Sequence, residues 1–267
     1  MSSAPTYPAV SYDKPAAMVN LCTAHCDLWI TCVDDFYQAL SPEEQARADR
    51  FLRREDRDRF VIGATLVRKV CAGYLGIEPR AVLFGRGPFG KPYLADQTGS
   101  PRPGLEFNVS HSGNCVTMAW AGGFPVGVDV EVFDKLRPPP FAELADSVFS
   151  PDECALLSSV SAADVPFTFY RIWVRKEAVL KAEGCGISAL LQSFSTASQC
   201  SDGICWPREI TIPSSGRTWL VEDFSPASGY AGCVAISREA TVQVWNQDIL
   251  GFTGASPLGV PGGYRTL

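Results

Sequence analysis

The residues best placed to do chemistry lie in four short stretches. Val126-Gly127-Val128-Asp129-Val130-Glu131-Val132 alternates without a break, which predicts a β-strand. With period two, the valines share one face, and Gly127, Asp129 and Glu131 share the other. Two carboxylates two residues apart on one strand repel each other. They belong either in water, as an acidic strand edge, or around a cation, and Mg²⁺ favours one or two carboxylates with substrate phosphates and water. A second stretch, from Phe169 to Lys181, gathers Phe169, Ile172, Trp173, Lys176, Val179 and Leu180 on one side of a helix. Glu177 and Lys181 lie at the margin of that face, four apart, and by themselves read as a surface ion pair. The third stretch, Phe107-Asn108-Val109-Ser110-His111-Ser112-Gly113, holds one of the chain's 2 histidines. A polar loop with hydroxyls, an imidazole and backbone N–H groups suits phosphate, though a turn with an exposed His has the same composition. The fourth, Gly85-Arg86-Gly87-Pro88-Phe89-Gly90-Lys91-Pro92, nearly fits a P-loop. Pro92 replaces the required hydroxyl and no helix opens after it, so the P-loop reading is rejected. What remains is a glycine loop presenting Arg86 and Lys91.

These stretches need elements to hold them. Ser41-Pro42-Glu43-Glu44 has Ser as N-cap, Pro at the first helical position and Glu closing a capping box. Ser150-Pro151-Asp152-Glu153 repeats that grammar. Leu66-Val67-Arg68-Lys69-Val70 follows the first start, and Trp173-Val174-Arg175-Lys176-Glu177 follows the second. Glycine breaks come next, Gly73 to Gly76 and Gly184 to Gly186. Apolar strand candidates then appear at Val116 to Trp120 and Cys233 to Ile236. The order predicts an α+β protein made of two similar halves about a pseudo-two-fold axis. We place an irregular lead-in at 1–18, the first half at 19–135, the second at 136–250, and a flexible Gly/Pro-rich tail at 251–267.

Composition removes several function classes. A chain of 267 residues, 46% hydrophobic, can bury a core, and its net charge of -6 argues against a nucleic-acid binder. Neither a signal peptide nor a bilayer-spanning run is present, so a cytoplasmic protein with no membrane partner is expected. The 10 cysteines are scattered, and those in apolar runs, Cys115, Cys154 and Cys233, read as buried free thiols. Cys22, His25, Cys26 and Cys32 cluster locally, but their spacing matches no standard zinc pattern.

Together the four stretches resemble the phosphopantetheinyl transferases, of the long type that activates peptide and polyketide synthetases. The family pattern is a glycine-lysine-proline turn, F-N-x-S-H-S, a G-x-D-x-E strand and a W-x-x-K-E-x-x-x-K helix. Here it falls in order on Gly90 to Pro92, Phe107 to Ser112, Gly127 to Glu131 and Trp173 to Lys181. The resemblance covers roughly residues 40–190 well and the remainder loosely. It implies the two-halved α+β fold of that family and transfer of 4′-phosphopantetheine from coenzyme A to a serine of an apo acyl or peptidyl carrier protein, with Mg²⁺ as cofactor. By the same resemblance Asp129, Glu131 and Glu177 would hold Mg²⁺ against the pyrophosphate, and Lys181 would contact the phosphate being transferred. Ser110 and His111 would bind phosphate oxygens. Lys91, with Arg86 and the backbone at Gly90, would hold the adenine nucleotide, Asn108 belongs to the same coenzyme A-binding set, and Arg47 would approach the 3′-phosphate. Glu44 stands where some relatives have lysine. Glu177 or Glu131 would take the serine proton. Since both walls of the site lie in one chain, a monomer is expected. Two other classes are a serine hydrolase using Ser110 or Ser112 with His111, and a non-catalytic protein binding carriers or nucleotides.

Overall fold

The computed structural model describes residues 18–133, 140–186, 190–201, 203–238, 241–244 and 265–266. In chain order these form β1 (Met18–His25), α1 (Cys26–Trp29), α2 (Val33–Gln38), α3 (Pro42–Ala48), α4 (Arg54–Leu75), β2 (Phe84–Arg86), β3 (Pro92–Leu94), β4 (Glu106–Ser112), β5 (Cys115–Ala121) and β6 (Val126–Val132). Then come α5 (Phe141–Val148), α6 (Pro151–Ser159), α7 (Val165–Glu183), β7 (Ser198–Cys200), β8 (Gly203–Cys205), β9 (Glu209–Thr211), β10 (Thr218–Phe224), β11 (Tyr230–Ser237), β12 (Thr241–Val244) and β13 (Arg265–Thr266).

Local chemistry sets the helix ends. Both expected capping boxes form, Ser41 with Glu44 at α3 and Ser150 with Glu153 at α6. The long helices α4 and α7 each stop at a left-handed glycine, Gly76 at φ 66° and Gly184 at φ 76°. The strands expected from Val116 to Trp120 and from Cys233 to Ile236 lie inside β5 and β11. The near-P-loop is a hairpin, β2 to β3, so Pro92 opens a strand.

Two sheets carry the fold, ordered β13-β12-β1-β5-β4 and β6-β11-β10-β9. α4 covers the first through Val61, Ile62, Leu66 and Val70 against Phe107, Val116, Met118 and Trp120. α7 covers the second through Val174 and Ala178 against Val221, Cys233 and Ala235. Between the sheets, Val19, Leu21, Ala119 and Ala121 meet Val126, Val128, Val234 and Ile236. This is the α+β architecture expected. β6 falls before residue 135, yet its ladder is with β11, as in the pair Val128 and Val234. β12, from the later part of the chain, pairs in turn with β1. Of the tail expected to be flexible, Arg265 and Thr266 pair with β12. The rest of the tail and residues 1–17 of the lead-in lie outside the described residues.

Each long helix carries a buried cation that ties its surroundings together. Arg68 of α4 pairs with the capping residue Glu44 and donates to the carbonyls of Pro79 and Val82. Lys176 of α7 pairs with the capping residue Glu153 at 2.7 Å and donates to the carbonyls of Leu191 and Phe194. The sequence reading counted Lys176 in an apolar helix face. The face is indeed buried, but Lys176 enters it as half of a fully buried ion pair, which periodicity alone does not reveal.

The cysteine reading needs one correction. Cys115 and Cys233 are buried free thiols and Cys154 is half-buried. Cys200 and Cys205, however, form a disulfide across the β7–β8 ribbon, because a tight ribbon brings near neighbours in sequence face to face. Among the described residues no three His, Cys, Asp or Glu side chains could hold a metal ion by themselves. Burial pushes the Cys26 thiol up to about 11, and His25 Nδ1 lies 3.5 Å from Cys115 Sγ.

Candidate active site

The close approach of α7 to β6 builds the site. A Cβ at Gly127 would lie 2.0 Å from the carbonyl oxygen of Ala178 and 2.4 Å from the amide of Ala182. Only glycine allows this contact. The Gly127, Asp129, Glu131 face is therefore covered by α7, not solvated as an acidic strand edge. Asp129 is 3% exposed. From α7, Trp173, Glu177 and Lys181 recur at intervals of four and so share one stripe of the helix. With Ser110, His111, Asp129 and Glu131 they line a cleft of about 340 Å³.

Within this cleft the expected surface pair of Glu177 and Lys181 is replaced by a different one. Lys181 Nζ donates to Asp129 Oδ1 at 2.6 Å and to Ser110 Oγ at 3.3 Å. Ser110 in turn donates to Asp129 Oδ1 at 2.8 Å. Ser112 donates to Glu131 Oε2 at 2.6 Å. Asp129 Oδ2 and Glu177 Oε1 are buried with no hydrogen-bond partner. Helix periodicity puts Glu177 and Lys181 on one stripe but cannot show that β6 supplies a second carboxylate between them.

The electrostatics follow from this crowding. Burial pushes Glu177 up to about 7, with Asp129 and Glu131 adding to the rise and Lys181 opposing it. Burial also raises Asp129, against the pull of Lys181 and Ser110. Glu131 is raised by burial and by Asp129, and lowered by the Ser112 hydroxyl that donates to it and by the Lys181 charge. His111 is held below its ordinary value, first by desolvation and then by the positive charges of Arg59, Lys181 and Arg47. Arg59 is the functional candidate that sequence reasoning passed over. Its Nε is buried without a partner, while its Nη1 donates to Asp56. The Arg-rich start of α4 was its signal, but six arginines in that region gave no way to choose among them.

The remaining candidates spread over a second cleft and its rim. Gly90, Lys91, Asn108 and Lys181 line a cleft of about 210 Å³, together with Phe89, Gly184 and Gly186. Lys91 crosses the structure to donate to the carbonyls of Val126 (3.1 Å) and Lys181 (2.9 Å). Burial lowers its pKa. Two of its three protons thus join the hairpin to β6 and α7, which the sequence did not suggest. Asn108 is likewise engaged, accepting from the Val128 amide at 2.9 Å. Arg86 is exposed and folds onto its own hairpin, donating to Gly90 O at 3.0 Å. Arg47 is exposed and stacks over Phe60 at 4.8 Å. Neither arginine is among the residues lining these two clefts.

A serine hydrolase does not fit this arrangement. The single hydroxyl proton of Ser110 goes to Asp129, not to His111.

Comparison with known proteins defines the class. Residues 28–122 match the family model described as 4′-phosphopantetheinyl transferase, N-terminal, and residues 125–234 match the 4′-phosphopantetheinyl transferase superfamily. The chain belongs to that superfamily and is a phosphopantetheinyl-transferring enzyme. It is 41% identical over 206 residues to 4′-phosphopantetheinyl transferase HetI of Nostoc, covering 77% of this chain and 81% of HetI. It is 32% identical over 202 residues to 4′-phosphopantetheinyl transferase Sfp of Bacillus subtilis, covering 75% and 84%. An L-aminoadipate-semialdehyde dehydrogenase-phosphopantetheinyl transferase of Xenopus laevis is 32% identical over 168 residues, covering 61% and 54%. No described helix is long and apolar enough to cross a membrane.

Proposed function

We propose that this chain transfers 4′-phosphopantetheine from coenzyme A to the serine of an apo acyl or peptidyl carrier protein, with Mg²⁺ as cofactor and adenosine 3′,5′-bisphosphate as the leaving product. The observation that carries the reading is the pair of buried, partnerless oxygens, Asp129 Oδ2 and Glu177 Oε1, beside the Lys181 ammonium. Buried carboxylate oxygens without donors are costly, and a hard divalent cation is the ligand they suit. Asp129 and Glu177, with Glu131 beside them, would hold the ion together with substrate phosphates and water, not by themselves. The ion would neutralise phosphate charge as the group passes between oxygens.

The chain's own residues supply the rest. Lys181 keeps one proton free of Asp129 and Ser110 for a phosphate oxygen. Incoming phosphates would draw Lys181 away from Asp129, freeing that carboxylate. Arg47, Arg59 and His111 present a positive rim for the 3′-phosphate, and the cleft at Gly90, Lys91 and Asn108 takes the adjoining nucleotide, with Arg86 at its hairpin. Glu177, raised to about 7, is poised to accept the carrier serine proton, and Glu131 is the neighbouring alternative. Both cleft walls come from one chain, so the enzyme acts as a cytoplasmic monomer built of two halves.

The test is incubation with coenzyme A, Mg²⁺ and several apo-carriers, read by intact mass. A carrier should gain one phosphopantetheine, and EDTA or Asp129→Ala should abolish the gain. Transfer at the parent rate by Asp129→Ala would overturn the metal-site reading.

A further inference from the structure

β4 and β6 are edge strands of different sheets, and side chains of β4 replace the missing ladder between them. The amides of Val128, Val130 and Val132 donate to Asn108 Oδ1 (2.9 Å), Ser110 Oγ (3.4 Å) and Ser112 Oγ (3.2 Å). Alternate side chains of one strand thus act as an acceptor comb for alternate amides of the other. A hydroxyl that accepts still has one proton to give. Ser110 gives it to Asp129, and Ser112 gives it to Glu131. Each serine therefore ties the β6 backbone to the carboxylate one residue earlier in that strand.

The two carboxylates differ in what else holds them. Asp129 is held by a cation, Lys181, and Glu131 by a neutral donor, the Ser112 hydroxyl from β4. We propose that Ser112 is a positioning residue that fixes the Glu131 carboxylate in the cleft. A lysine beside a polyanionic substrate is drawn to the phosphates. A serine hydroxyl carries no charge to be drawn, so Glu131 keeps its place while Lys181 moves. The clamp is anchored in turn, because Ser112 accepts from the Val132 amide. The proposal rests on the transferase reading for the reaction that Glu131 serves, but the clamp itself belongs to the free protein.

The experiment uses the full chain and two readouts: affinity for Mn²⁺ alone, followed by electron paramagnetic resonance, and kcat and KM for transfer. Ser112→Thr and Ser112→Val are nearly equal in shape and differ in the hydroxyl. Each is made in the parent and in Glu131→Gln. Ser112→Ala gives a second way to remove the hydroxyl if Ser112→Val folds poorly. Ser112→Val and Ser112→Ala should each lower kcat about tenfold, with KM for coenzyme A within about twofold, and weaken Mn²⁺ severalfold. Ser112→Thr should stay within about threefold of the parent. In Glu131→Gln the Ser112→Val change should cost less than about twofold, because its partner is already gone. An equal loss in both backgrounds would mean that Ser112 acts through the β6 backbone, and the proposal falls. It also falls if Glu131→Gln changes neither readout, while the transferase reading survives on Asp129 and Glu177. If Asp129→Asn also leaves transfer intact, the reading of the site itself is wrong.

Discussion

Glu177→Gln should make the protein more stable and less active at once. Glu177 is 3% exposed, and its Oε1 has no partner. Burial, followed by Asp129 and Glu131, moves its pKa from 4.5 to about 7. The folded value lies above the unfolded one, so the folded state holds the extra proton between them. Stability is therefore lost as pH rises through that window. At about 1.4 kcal/mol per pH unit, the ionised group costs the folded state about 3 kcal/mol near pH 8 and under about 1 kcal/mol near pH 5. Gln is neutral at both pH values but leaves a buried amide short of partners, which takes back about 1 kcal/mol. The net expectation is a gain of about 2 kcal/mol near pH 8, or about 4–8 °C in Tm, and no gain near pH 5. Thermal and urea unfolding in metal-free buffer at both pH values measure this. Transfer should fall about 100-fold, the scale of losing one electrostatic contact at a reacting centre. A Tm difference that is the same at both pH values, or absent near pH 8, would refute the claim that neighbours and burial strain Glu177 in the free protein.

Three further perturbations probe the framework behind the site. Lys176→Met strands Glu153, buried with it, together with the carbonyls of Leu191 and Phe194. It should cost about 3–5 kcal/mol in urea unfolding, and a loss below about 1 kcal/mol would show that the pair holds little in place. Gly127→Ala drives a methyl into the Ala178 and Ala182 backbone, which cannot step aside. It should cost about 3 kcal/mol or expel α7 altogether, and a parent-like Tm would mean that the helix does not sit so close. Lys91→Met removes the donor shared by Val126 O and Lys181 O. It should lower stability by about 1–3 kcal/mol and weaken coenzyme A binding in calorimetry, whereas no change in either would end its role as a cross-link between the hairpin and α7.

Much of the architecture was legible because it is written in local chemistry. A serine followed by proline and then glutamate must cap a helix wherever it sits, and both such starts do so. Perfect alternation from Val126 to Val132 can only be a strand, and that strand is present. The order of four motifs pointed to the family that the comparisons then established. Exposure was harder to read. Gly127, Asp129 and Glu131 shared a face as expected, but whether water or a helix covered it depends on a contact between residues about fifty apart.

The sequence by itself determined the capped helix starts, strand β6, the family and most residue types that face the cleft, because helix and strand periods and caps act over only a few residues; Ser110 to Ser112, read as a polar loop, instead end strand β4, where they bond to β6. Tertiary structure alone decided the partners. Lys181 answers to Asp129 instead of Glu177, Lys176 to Glu153 inside the apolar face, and Ser112 to Glu131. Hydrogen bonds and ion pairs form between whatever charges the packing brings together. Here Gly127 sets that packing by letting α7 rest directly on the β6 backbone.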